Sequence, residues 1–335
     1  MKIITIEEHF NSRNVREKMK QYQSNDLDAG KAKDMHEMIR HFLPTDDDIE
    51  DVGARRIKFM DESGIDMQVI SYAGGSPQEI ADPVAAVALC KEANDELAGY
   101  ISQNPTRFAG FAALPLADPI GAANELNRAV KDLGFKGALI AGTFQGRFFD
   151  EPEFYPIFKM AAELNVPIYL HPGIIKKDVA DHYYRNENWS KLVNGVFPSA
   201  GFGWHMDSGI HVIRMILSGV FDKLPNLKLI SGHWGEFVPA FLERLDETLY
   251  PEITNLKRTI SEYYKEHVYI TPSGIFSETQ LQFAIAQMGA DHIIYSGDYP
   301  YLIKNETGDF LKNASISEED KAKIGHLNVE KLLNL

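Results

Sequence analysis

The sequence predicts an α/β fold, a (β/α)8 barrel of the TIM type, on three observations. Eight short runs rich in β-branched and aromatic residues recur along the 335 residues. Helix-like stretches with apolar residues three and four apart separate them. Several of the runs finish, at the same end, on a residue able to bind a metal ion or move a proton. Strands alternating with helices give right-handed βαβ units and a parallel sheet, and eight such units in this length fit a closed barrel. An open doubly wound sheet is the alternative, but no glycine-rich dinucleotide turn follows the first run.

The first run, IITIEEHF (3–10), passes from isoleucines straight into two glutamates and a histidine. Side chains alternate along a strand, so Ile3, Thr5, Glu7 and His9 are expected on one face. Ile4, Ile6, Glu8 and Phe10 then share the other, which the two isoleucines suit for packing under helices. On this reading Glu7 and His9 converge on one ion or substrate. A charged, Met-rich insertion, about 11–50, ends in TDDDIEDVGARR and leads into the second run, DMQVISYA (66–73). Helical spacing over 82–103 precedes FAGFAALPL (108–116), and helical spacing over 119–134 precedes KGALIAGT (136–143). A helix over 154–165 leads to VPIYLHPG (166–173), then to a second insertion, 174–207, with HYYRNENW and FPSAGFGWHMD. LKLISGHWG (227–235), HVYITPSG (267–274), a helix over 277–289 and DHIIYSGDYP (291–300) complete the series. Both insertions follow the C-terminal ends of strands, where barrel enzymes carry active-site loops. They are read as lids or pocket walls of one domain spanning 1–335.

An apolar fraction of 44% supports a large core, and 34 basic against 48 acidic residues leave a formal charge of −14. Such a surface repels nucleic acid and anionic membrane and excludes both as partners. The only cysteine, Cys90 in AAVALCKEAND, cannot form an internal disulfide and is expected as a core thiol. The first apolar run is too short for a secretory signal, and no stretch approaches the ~18 apolar residues of a membrane span. A soluble, cytoplasmic protein is expected.

Glu7 and His9 end the first run, His171 the fifth, His233 the sixth and Asp298 the eighth. A lone histidine after a strand is usually structural, but four strands ending this way point to a site. Carboxylate and imidazole donors suit one divalent ion, zinc or manganese, with a position left open for water or substrate.

With EEHF, LHPG, GHWGE and YSGDYP in this order, the chain resembles the amidohydrolase superfamily. Within it, the chain is most similar to the non-oxidative decarboxylases, among them the γ-resorcylate, 2,3-dihydroxybenzoate and 5-carboxyvanillate enzymes. Aminocarboxymuconate semialdehyde decarboxylase is a more distant likeness. Most of the superfamily has H-x-H on the first strand, and the glutamate variant here favours the hydroxybenzoate branch. The resemblance implies Glu7, His9, His171 and Asp298 as metal ligands, with Glu8 a bystander. Dinuclear relatives bridge two metals with a lysine at the exit of strand four, but Lys136 sits at the entry of that strand, so one ion is expected. The resemblance also puts His233 in the pocket beside the metal, with Glu236 orienting its imidazole or, alternatively, sitting as a carboxylate in a first helical turn. It places an arginine near Arg244 that could meet a substrate carboxylate, against the plainer reading of a salt bridge with Glu243 or Asp246. Trp204, His205 and Phe10 are weaker candidates for an aromatic wall, as are Tyr299 and Tyr301, and His211 for support from the next helix.

The implied reaction is decarboxylation of a small hydroxylated aromatic acid. The metal chelates the carboxylate and an ortho hydroxyl, and Asp298 protonates the ring carbon. A metal-dependent hydrolase acting on a lactone or amide through the same ligands is the alternative. A homodimer or homotetramer is expected.

Overall fold

The computed structural model describes residues 1–22 and 43–335. Its strands are β1 (Ile4–Phe10), β2 (Met67–Tyr72), β3 (Phe108–Gly110), β4 (Ala138–Ala141), β5 (Ile168–His171), β6 (Leu229–Ser231) and β7 (Val268–Ile270). All pair in parallel, in two ladders, β1-β2-β3 and β4-β5-β6-β7. A single bridge, Ala112 to Ala138, joins the ladders. The eighth run forms no ladder. After a 3-10 turn over Ala290–His292 its extended chain is tied by bridges from Ile293 to Ile270 and from Ser296 to Ile6. Hydrogen bonding thus runs in a ring, and the barrel is the expected fold.

The expected helices form at Pro83–Gln103, Pro119–Lys131, Tyr155–Leu164 and Glu278–Met288. The first two begin alike: Asp82 and Asp118 accept backbone hydrogen bonds from Ala85 and Gly121, and proline occupies the first turn, where its missing N–H costs nothing. Cys90 lies buried in the first of these helices, where desolvation raises its thiol pKa. Most of the first insertion lies outside the described residues. The second folds into helices Lys177–Tyr183 and Lys191–Val196, and its last residues begin the helix Gly203–Leu217. Trp204 and His205 are therefore in a first helical turn. Among the described residues no helix is long and apolar enough to cross a membrane.

Two apolar clusters mark the two faces of the strands. Ile4, Ile6, Val69, Phe111, Leu139, Tyr169, Ile230 and Ile294 fill the barrel interior, joined by Val329 and Leu333 of the C-terminal helix Asn328–Leu333. Ile3, Phe10, Ile70 and Tyr72 belong to the larger core that the strands share with the helices. This corrects the alternation expected for β1, since Ile4 and Ile6 face the interior. The register against β2 slips between Thr5 and Glu8, and Glu7 takes φ 65°. The bulge changes the phase of the strand by one residue. Even-numbered side chains point inward before it and odd-numbered ones after it. Glu7 and His9 do point inward together, but above Ile4 and Ile6 and not opposite them.

Candidate metal centre

Glu7 and His9 reach the C-terminal mouth of the barrel from β1, His171 from the end of β5, and Asp298 from the eighth segment at φ 61°. His9 Nε2 stands 3.3 Å from Asp298 Oδ1, and His171 Nε2 stands 3.5 Å from Glu7 Oε1. The two imidazoles meet edge to face with centroids 5.2 Å apart. Glu7 and His9 are sealed from solvent, whereas the His171 and Asp298 side chains keep 18% and 17% exposure, so the cluster opens on that side.

The hydrogen-bond partners decide which atoms are left free. His171 Nδ1 lies 2.7 Å from the Pro172 carbonyl, which can only accept, so Nδ1 carries the hydrogen and Nε2 presents a lone pair. His9 Nδ1 lies 3.3 Å from Ser71 Oγ, itself placed to donate to the Glu8 carbonyl, which leaves His9 Nε2 bare as well. Glu7 Oε2 accepts from the hydroxyls of Ser273 and Thr271. Glu7 Oε1 and His9 Nε2 are buried and make no hydrogen bond. An uncompensated buried acceptor is costly, and a carboxylate oxygen beside two imidazole lone pairs is the kind of donor set that a divalent cation takes. Burial lowers the pKa of both His9 and His171 to about 4, because a charged ring there would lose its hydration. Burial likewise raises Asp298 to about 7, with His233 and His205 pulling the other way.

His233 borders this cluster, its Nε2 3.9 Å from Glu7 Oε1. It opens a left-handed turn: His233, Trp234, Gly235, Glu236 and Phe237 all have φ between 47° and 81°. Glu236 therefore occupies no α-helical first turn, and the helix-dipole reading of it is withdrawn. Non-glycine residues held this way cost on the order of 1 kcal/mol or more each, and the surroundings must impose the turn. His233 N donates to Ser273 Oγ at 2.8 Å, Trp234 N to the Thr271 carbonyl at 2.7 Å and Trp234 Nε1 to the Ile275 carbonyl at 2.9 Å. Gly209 lets the helix Gly203–Leu217 press against the turn, since a Cβ there would meet the Glu236 carbonyl at 2.4 Å.

The turn brings Glu236 between two imidazoles, with Oε1 2.6 Å from His233 Nδ1 and Oε2 2.9 Å from His205 Nδ1. The Glu236 carboxylate can only accept, so His205 carries a hydrogen on Nδ1, while its Nε2 lies 3.1 Å from both Trp204 Nε1 and the Ala200 carbonyl. These three residues have donor atoms within 4.8 Å of one another. Both Nδ1 hydrogens are already committed to the carboxylate, however, so the trio is a hydrogen-bonded chain and not a cation cradle. Burial opposes a charge on His233, but Glu236 and Glu7 outweigh it and raise its pKa to about 9. Glu236 is lowered, burial being overcome by His233 and by both hydrogen bonds.

Other candidates lie elsewhere. Phe10 is buried in the helix-facing core against Tyr72 and does not reach the cluster. Arg244 is 70% exposed and pairs with Glu247, neither of the partners expected from the sequence. His211 accepts from Phe149 N at 2.9 Å and packs against the rings of Phe148 and Phe149, so it fixes the chain after β4. Tyr299 stacks on Phe59 in the core, whereas Tyr301 sets its ring edgewise to His9 at 5.4 Å. Lys136 bonds the Asn334 carbonyl, away from the cluster. The sequence reading missed Ser71, Thr271 and Ser273. Thr271 and Ser273 repeat at the exit of β7 the two-residue spacing of Glu7 and His9, which was the available signal.

The amidohydrolase family matches residues 34–335. γ-Resorcylate decarboxylase of Polaromonas sp. is 38% identical over 300 residues, covering 85% of this chain and 88% of the relative. A crystal structure of dihydroxybenzoic acid decarboxylase from Polaromonas sp., with manganese and the inhibitor 2-nitroresorcinol, superposes with a TM-score of 0.83 at 33% identity, covering 100% of this chain and 97% of that one. The structure of 5-carboxyvanillate decarboxylase from Novosphingobium aromaticivorans, with manganese and 4-hydroxy-3-methoxy-5-nitrobenzoic acid, gives 0.88 at 30% identity, covering 100% and 96%.

Proposed function

The chain belongs to the amidohydrolase family, and from that membership we propose a metal-dependent, non-oxidative decarboxylase of a hydroxylated benzoate. The carrying observation is the pair of buried atoms without a hydrogen bond, Glu7 Oε1 and His9 Nε2, in a cluster with His171 Nε2 and Asp298 Oδ1. One divalent cation fits these four residues, and manganese, held by two solved relatives, is the proposed ion. When bound, it supplies the positive charge that takes up the substrate's carboxylate and ortho hydroxyl oxygens. Asp298, whose carboxyl burial favours in the neutral form, gives its proton to the ring carbon bearing the carboxylate. Cleavage of the C–C bond then returns the electron pair to the ring and releases CO2. His233, charged and fixed by Glu236, faces the substrate from the side of Glu7, and Trp204, His205 and Tyr301 bound the pocket.

Residues 1–335 form one catalytic domain in this reading, in a cytoplasmic enzyme. The exposed Phe237, Phe241, Tyr250 and Ile253, which flank Arg244 in the sequence, support assembly into a homodimer or homotetramer.

Incubating the manganese-loaded protein with a panel of dihydroxybenzoates in D2O tests the reaction. CO2 release with one deuterium at the carbon that carried the carboxylate is expected. Lactone opening without any labelled phenol would replace the decarboxylase with the hydrolase. His233→Asn should keep its metal and lose most turnover, because the imidazole borders the ligands without being one. Metal analysis beside CO2 release checks this, and a metal-free variant would make His233 a ligand. The lowered pKa values of His9 and His171 predict a pH effect. Free imidazole takes up its proton near pH 6.5, but these rings stay neutral until pH approaches about 4. In Asp298→Asn, which lacks the one proposed ligand that titrates near pH 7, the metal retained after dialysis at pH 5.5 should therefore match that at pH 7.5. A loss centred on pH 6.5 would show that the rings titrate as exposed histidines do.

A further inference from the structure

We infer that Glu8 is a positioning residue for Asp298, holding the backbone on both sides of it. The inference rests on the proton-donor role proposed above. β1 and the eighth segment share few backbone bonds, Ile6 N to the Tyr295 carbonyl at 3.1 Å and His9 N to the Tyr299 carbonyl at 2.7 Å. Between them the β1 bulge and the left-handed Asp298 break the ladder. The Glu8 carboxylate fills that break. Its Oε1 accepts from Gly297 N and its Oε2 from Tyr299 N, both at 2.9 Å. These are the two amides flanking Asp298. Gly297 permits the approach, for a Cβ there would lie 3.2 Å from Glu8 Oε1.

Glu8 is itself anchored. Gln68 Nε2 donates to Glu8 Oε2 at 3.3 Å, and Gln68 Oε1 accepts from Arg56 Nη1 at 3.3 Å. The buried Arg56 guanidinium donates to the His9 carbonyl at 2.5 Å and to the Asp51 carbonyl at 3.0 Å, and stacks over Tyr299 at 4.7 Å. One buried chain, Arg56–Gln68–Glu8, thus ties the main chain of His9 to the main chain around Asp298. Those two side chains meet 3.3 Å apart at the proposed proton-transfer site. Both Glu8 oxygens accept from N–H groups. In Glu8→Gln one of them becomes an NH2 facing an amide hydrogen, which breaks one tether and leaves the metal donors in place.

A double-substitution cycle on the manganese-loaded enzyme tests this. Glu8→Gln should retain metal, change KM less than about threefold and lower kcat by about 10- to 100-fold, the scale of an ångström-sized misplacement. Added to Asp298→Asn, it should cost under about twofold more. A purely structural role predicts an additive loss in the double variant, and that result, or an unchanged kcat in the single one, overturns the inference. If Glu8→Gln does not fold, Gln68→Met, which cuts the chain without touching a charge, takes its place in the same cycle. Visible spectra of the cobalt-loaded variants give a readout free of turnover. Glu8→Gln should shift the cobalt bands in the native background and leave them in place beside Asp298→Asn. A wild type that releases no CO2 from any benzoate sinks the decarboxylase reading alone. The cobalt spectra then decide the positioning role.

Discussion

Asp298→Asn is expected to lower turnover at least about 10²-fold, the lower end of what a positioned general acid contributes, while part of the metal stays bound. An asparagine keeps a carbonyl oxygen at the left-handed mouth position, and asparagine tolerates that backbone better than most residues. It has no proton to give a ring carbon. In the proposed mechanism the native carboxyl supplies one, and burial favours its neutral form, raising its pKa to about 7 against the pull of His233 and His205. Single-turnover CO2 release with metal quantified in the same sample separates the two effects. Turnover within tenfold of the native enzyme would move the proton donor elsewhere, with His233 the next group in reach.

Glu7→Gln should be the more damaging change to the metal, weakening affinity by more than about 10²-fold, beyond the 10- to 100-fold typical of losing a ligand's supporting partner. The environment dictates how the amide would sit. Hydroxyls of Ser273 and Thr271 donate to Glu7 Oε2, so a glutamine turns its oxygen toward them. Its NH2 then takes the place of Oε1 and points hydrogens at the lone pair of His171 Nε2 and at any cation. Metal content after dialysis measures the loss. Near-stoichiometric metal in Glu7→Gln would remove Glu7 from the proposed ligands.

The barrel was legible because its two periods are local. Helices at Pro83–Gln103 and Pro119–Lys131 and the strands between them follow from spacing that survives in any window of the chain. The pairing of Glu7 with His9 was also legible, but the alternation behind it overlooked the bulge, since a change of register leaves no mark in composition. The eighth run reads as a strand from its isoleucines, yet it pairs only through isolated bridges. Glu236 illustrates a different limit. GHWGE looks like a helix start, and contacts from elsewhere in the chain, among them Ser273, Thr271, Ile275 and Gly209, hold it left-handed. Glu8 read as idle because its partners, Gly297, Tyr299 and Gln68, are backbone or distant in sequence. Such contacts exist only once the barrel has closed.

That closure has a thermodynamic consequence. The ring consists of two laddered arcs whose seams carry single bridges at Ala112–Ala138, Ile270–Ile293 and Ile6–Ser296. Glu7 and His9 stand on one arc, His171 on the other, and Asp298 on the segment spliced between them. An ion shared by these four residues therefore cross-links all three pieces, and its binding free energy becomes cohesion between arcs that the backbone joins only sparingly. The apoprotein loses that cohesion at the mouth while the C-terminal helix, with Val329 and Leu333 in the barrel interior, still holds the far end. Subglobal opening is therefore expected at the mouth of the barrel, and if the proposed ligands hold an ion, it should be rarer with the metal bound than without it.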